Sequence, residues 1–217
     1  MSIRAPLACL LALLALGCAS GPPVPDWKLT AWNALDAHTQ AWLAGRDRVA
    51  AAELAIARRE TARTGDARIM ARVELAACAA QVASLGEREC PAFASLAVDA
   101  GADNATYADY LAGRWQGLDT ARLPEAQRGV PTAGDGAALL GGIADPLSRL
   151  VAAASLFHAG KLSPAGIAIA IDTAVAQGWR RPLLAWLGVE RERLHRAGDT
   201  AGADAIARRS ARVAPPH

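Results

Sequence analysis

Apolar residues recur along this chain at the three- and four-residue spacing of amphipathic helices. From Trp27 to Ala44, the residues Trp27, Ala31, Ala34, Leu35, Trp42 and Leu43 mark one helical face, and Gly45 stands where helices commonly stop. Asp47 is placed to cap a second helix running to about Thr64. On it Val49, Ala52, Leu54 and Ile56 are expected inward, and Arg58, Arg59, Glu60 and Arg63 in water. Gly65-Asp66 repeats the stop and the cap, and a third helix continues to Leu85 on Ile69, Val73, Ala76 and Ala80. Cys90-Pro91 opens a short helix, and another ends near Tyr107 to Arg114. Trp115 to Gly142, with Pro124, Pro131 and six glycines, predicts a long connection holding one helical turn. Helices follow at Asp145–Ala159, Ser163–Gln177, Arg181–Ala197 and Thr200–Val213, with Asp145-Pro146 and Ser163-Pro164 as starts. Alternating strand patterns and hairpin dipeptides do not occur. The pattern predicts an all-α body of stacked antiparallel hairpins, one domain over residues 27–213, with a loose tail at 214–217.

One turn recurs: LAGR at 43–46, LAGR at 111–114, HAGK at 158–161 and RAGD at 196–199. The first two lie 68 residues apart, twice the 34-residue period of tetratricopeptide repeats. Gly198, Ala203 and Pro215, and the stretch AGKLSPAGIAIAI at 159–171, resemble the turn glycine, packing alanine and closing proline of that family. The resemblance covers three hairpins, lacks most of the family's aromatic positions, and is interrupted by spacings of 47 and 38. It implies helical pairs that bury their apolar sides against neighbours and leave a concave face for an extended peptide.

The first residues read differently. Arg4 is the only charge before Asp26, and twelve almost wholly apolar residues run from Ala5 to Leu16. A basic start and a short apolar stretch suit a secretory signal. As a helix, twelve residues rise only about 18 Å, well short of a bilayer core of about 30 Å. The stretch ALGC at Ala15 to Cys18 resembles the lipobox of bacterial lipoprotein precursors, though alanine stands where leucine is usual. The resemblance implies that residues 1–17 are a signal peptide and that Cys18 becomes the first residue, carrying a diacylglycerol and an amine-linked acyl chain such as palmitate. Residues 18–26 then form a Pro-rich tether. Ala19 in place of aspartate implies an outer-membrane address, facing the periplasm. The competing expectation is an ordinary secreted protein cleaved nearby, for example after Ala15.

Removal of the signal takes the net charge from +2 to +1, which excludes a nucleic-acid footprint or a polybasic membrane patch. Cys9 leaves with the signal, so Cys78 and Cys90 remain in a compartment that permits disulfides. Cys78 lies about 12 Å along the axis from the expected helix end, and four extended residues reach back about 13–14 Å, so a bridge is feasible. Two free buried thiols or a metal pair are the alternatives, and no histidine or second cysteine pair lies close by.

Candidate chemistry is sparse. His38, His158, His195 and His217 form no HExxH or Cys–His ligand pattern and read as surface or helix-end residues. Ser155 and His158 are three apart on one helix, without a GxSxG elbow, and Ser155 reads as packing. GKLS at 160–163 lacks the remaining features of a phosphate loop. Glu87 and Glu89 read as solvated, and Glu190–Arg193 and Glu192–Arg196 as helix-surface ion pairs. Of six tryptophans, Trp179 and Trp186 share a helical face, either as core anchors or as a binding face. No catalytic residue, cofactor or metal ligand is assigned. The expectation is a lipid-anchored envelope protein that binds another envelope protein. A peptidoglycan-acting enzyme and a small-ligand carrier with a Trp-lined pocket are the alternatives.

Overall fold

The computed structural model describes residues 24–134 and 136–214. The expected signal, Cys18, most of the tether, Pro215 and His217 lie outside them. Among the described residues there are nine α-helices and three short 3-10 segments, and no strand. The helices are α1 (Asp26–Leu43), α2 (Asp47–Ala62), α3 (Ala67–Ala83), α4 (Ala102–Ala112), α5 (Ala137–Gly142), α6 (Pro146–His158), α7 (Pro164–Gln177), α8 (Arg180–Arg196) and α9 (Thr200–Val213).

Local chemistry sets most of these limits. Asp66, Asp145, Ser163 and Asp199 each accept a backbone N–H of the following first turn, the N-cap role their side chains suit. The four recurring turns are all helix C-caps. Gly45, Gly113, Gly160 and Gly198 have φ of 77°, 81°, 67° and 76°, a region open to glycine at little cost. In each, the next N–H reaches back five residues, as from Arg46 to Ala41 O (2.8 Å) and Asp199 to Leu194 O (3.0 Å). The repeated letters therefore mark one way of ending a helix.

Two helices form the centre. Residues Leu150 to Leu156 of α6 are buried without interruption, as in a helix enclosed on every side. Helix α3 buries nine residues from Ala71 to Ala83, mostly alanine, and packs directly on α6. Sequential neighbours pair as expected (α1 with α2, α7 with α8, α8 with α9). Two further contacts close the body: α3 on α6, and α1 on α8. An open repeat stack touches only adjacent units. This body instead folds its last third back onto its first.

The closing seam is specific. Trp179 Nε1 donates to Gln40 Oε1 (3.0 Å). Arg181 donates to the Trp42 carbonyl (2.7 Å), stacks 4.0 Å from the Trp42 ring centroid and pairs with Asp47. Cys78 and Cys90 form a disulfide with 5.5 Å between their Cα atoms, and it ties α3 to the 3-10 segment Pro91–Leu96.

Several expectations are corrected. Asp47 is the first helical residue and gives its carboxylate to Arg181, while Arg46 holds the cap position without a side-chain bond. Val49 (46% exposed) and Ala52 face water, and Ala50 and Ala57 face inward, because close approach to α1 favours the alanine side of α2. Glu60 is buried, not solvated. Its carboxylate is held by Arg63 (2.8 Å) and Arg59 (3.5 Å). Helix α4 starts at Ala102, earlier than the region near Tyr107. The long connection carries two 3-10 turns, Thr120–Arg122 and Glu125–Gln127, in addition to α5.

Candidate functional site

The floor of the candidate site is Ala76, on the outer side of α3. Its single methyl leaves a gap between Thr39 of α1 and Leu147 of α6. Two clefts, each of about 480 Å³, lie side by side and share these three residues, so we treat them as the two halves of one α1–α3–α6 groove. The cleft beside α8 is lined by Trp32, Asp36, Gln40, Gln177 and Trp179. The cleft beside α4 is lined by Arg72, Asn104, Tyr107 and Arg122.

The walls are held by hydrogen bonds and ring stacking. Under the α4 end, the Tyr110 hydroxyl donates to Gln127 Oε1 (2.5 Å), and Gln127 Nε2 donates to the Ser148 carbonyl (2.9 Å). Tyr107, Tyr110 and Trp115 stack with centroids 6.0 and 5.9 Å apart. Burial, then the nearby Asp145 charge, pushes the Tyr107 phenol far above its ordinary 10, so it stays a neutral hydroxyl. Asn104 Nδ2 is committed to the Arg68 and Ala100 carbonyls (3.0 and 2.9 Å). Arg122 is paired with Asp103 and Asp119. Arg72 is exposed and enters no ion pair among the described residues. Such a lining offers apolar contact along its length and a few hydrogen-bonding groups at its edges.

No family model matches this chain. Comparison with curated proteins and with solved structures also finds no match. Among the described residues no group of three or more His, Cys, Asp or Glu could hold a metal ion. No described helix is long and apolar enough to cross a membrane.

The residues singled out from the sequence fall in different places. Trp186 is fully buried, donates to the Ala83 carbonyl (3.3 Å) and meets Phe157 edge-on at 5.8 Å. Trp179 is also buried, and it lines the cleft beside α8. They do not form an exposed binding face, because the side of α8 that they share is the side packed on the core. His38 is buried rather than superficial. Its Nδ1 lies 2.8 Å from the Ala50 carbonyl, and desolvation holds its pKa below the ordinary 6.5. Ser155 is buried against Tyr110, while His158 lies exposed at the end of α6, with its pKa lowered by desolvation and then by Arg88. Glu87 accepts the N–H groups of Arg88 (2.9 Å) and Glu89 (3.0 Å), and Glu89 pairs with Arg114 (2.8 Å). The pairs Glu190–Arg193 (2.7 Å) and Glu192–Arg196 (3.0 Å) form as their spacing predicts.

Trp32, one of the early-helix tryptophans expected chiefly as core anchors, is instead 72% exposed and lines the groove. A usable signal was present. Trp32 lies off the face marked by Ala31, Ala34 and Leu35, and a large aromatic on the wrong side of an amphipathic helix wants a partner outside the fold.

Proposed function

We propose that this protein is lipid-anchored in the bacterial cell envelope and that its helical body binds a segment of another envelope protein along the α1–α3–α6 groove. The observation that carries the binding part is the pair of adjoining clefts that share Thr39, Ala76 and Leu147. An extended peptide needs such a trough, apolar in the middle and polar at its rims. The anchor rests on the lipobox-like ALGC ending at Cys18. An outer-membrane position on the periplasmic side follows from Ala19.

The binding test is site-directed photocrosslinking in the native envelope. A crosslinking side chain at Asp36 or Asp103 should give one specific adduct, and the same side chain at Val175, exposed on α7, should give none. Ala76→Trp, which fills the groove floor, should abolish the adduct. Equal labelling at all positions, or an adduct indifferent to Ala76→Trp, overturns the groove as the site. Degradation of cell-wall sacculi by the purified body would replace this reading with an enzymatic one. For the anchor, Cys18→Ser should release the protein from membranes or leave the precursor uncleaved. Palmitate labelling that persists in this variant counts against lipidation at Cys18.

A second reading, a small-ligand carrier, is favoured by one observation: Trp32 and Trp179 line the same 480 Å³ cleft. Quenching of tryptophan emission by a soluble hydrophobic ligand, lost in Trp32→Phe, would support it.

A further inference from the structure

A further apolar hollow of about 650 Å³ lies at the beginning of α1; it shares Trp32 and Leu35 with one cleft of the groove and Arg72 with the other. Its outer surface is made by Val24 and Leu29, each 50% exposed, and by Trp32. Asp36, one turn further along α1, lines the neighbouring cleft and not the hollow. The two charged side chains that line the hollow, Lys28 and Arg72, are both cationic.

Resting on the lipid-anchor reading above, we infer that this hollow is a second membrane contact, seated on the phospholipid surface that holds Cys18. Three observations converge. Only five residues lie between Cys18 and Val24, a length that can span at most about 20 Å, so the patch stays within that distance of the anchor. An indole together with branched aliphatic side chains suits the headgroup–acyl boundary, where one edge of a tryptophan stays wet. Lys28 and Arg72 complement lipid phosphates. The tether thus brings the patch to the bilayer, and the patch fixes how the body stands there.

The test uses the full lipidated protein reconstituted into anionic phospholipid vesicles with brominated acyl chains, which quench indoles lying near them. Wild-type protein should lose emission when bromolipid replaces ordinary lipid, and Trp32→Phe should remove most of that loss. Trp32 is exposed, so the variant should fold, and its unchanged helical circular dichroism serves as the control. Leu29→Glu should give the same loss of quenching with Trp32 intact. The mass of the N-terminal peptide from the same vesicles reads the anchor independently. A diacylated Cys18 with quenching that is indifferent to both substitutions overturns the docking and leaves the anchor standing. An unmodified Cys18 overturns the anchor and this inference with it. A Trp32 signal that follows protein density in the vesicles and not lipid bromination assigns the patch to a second copy of the chain and also overturns the inference.

Discussion

Two tryptophans in this chain have opposite roles, and substitution separates them. Trp186 is enclosed and braced by Phe157, so Trp186→Ala should cost about 3–5 kcal/mol of unfolding free energy, the range for large aromatic deletions in cores. Trp32→Ala should stay within about 0.5 kcal/mol, as for an exposed residue. Denaturant midpoints at constant slope check both. His38 supplies a pH prediction. Its folded-state pKa lies below the unfolded 6.5 because burial disfavours the cation. The unfolded chain therefore binds the proton more readily. The stability due to neutral His38 is complete above pH 6.5 and declines as pH falls from there toward the folded pKa. His158 contributes in the same direction from a more exposed position. His38→Gln should flatten the stability profile just below pH 6.5, measured by urea titration at stepped pH. None of this was legible in the histidines themselves. The burial of His38 depends on which face of α1 meets α2, and the sequence pattern placed that face correctly only for residues such as Ala31 and Ala34.

At the scale of elements, caps and glycines made the helices readable. Helix starts at Asp66, Asp145, Ser163 and Asp199 follow from side chains whose oxygen can take a free N–H. Replacing Asp145 with alanine should cost about 1 kcal/mol, measured by thermal or chemical unfolding. Gly45→Ala should cost more than an ordinary glycine replacement. The backbone there has positive φ, and an added Cβ would stand 3.0 Å from the Arg180 guanidinium. The Cys78–Cys90 link was readable too, because helix rise and chain reach already allowed it. Reducing it should lower stability by about 3 kcal/mol in the chain-entropy model, read as a shift in midpoint with added reductant. The faces of α2 were the failure at this scale. In an alanine-rich helix almost every side offers apolar atoms, so periodicity ranks several faces equally. Contact with α1 then selects the alanine side and leaves Val49 outside.

At the scale of the whole molecule, the all-α class was legible and the closure was not. Adjacent hairpins are announced by short turns, but no local feature announces that α3 will lie on α6 or α1 on α8. The groove was hidden for the same reason. Thr39, Ala76 and Leu147 come from three helices far apart in the chain, and each looks like ordinary packing in its own helix. Arg181→Ala should test the closure. Loss of its stacking on Trp42 and its bonds to the first hairpin should raise hydrogen exchange at the end of α1 and the start of α8 together. Faster exchange in α8 alone would mean that the two ends are not coupled.

The seam between Gln40 and Trp179 also sets a schedule for making the protein. Its partners are 139 residues apart, so at ordinary translation speeds the first hairpin must wait on the order of ten seconds for its mate to be synthesised. Throughout that interval the flank of α1 reserved for α8 is bare, and a nascent chain stalled before Trp179 would present it to chaperones and proteases. Premature termination in the final third should therefore leave little protein in the cell, even though every helix of the first half is present in full.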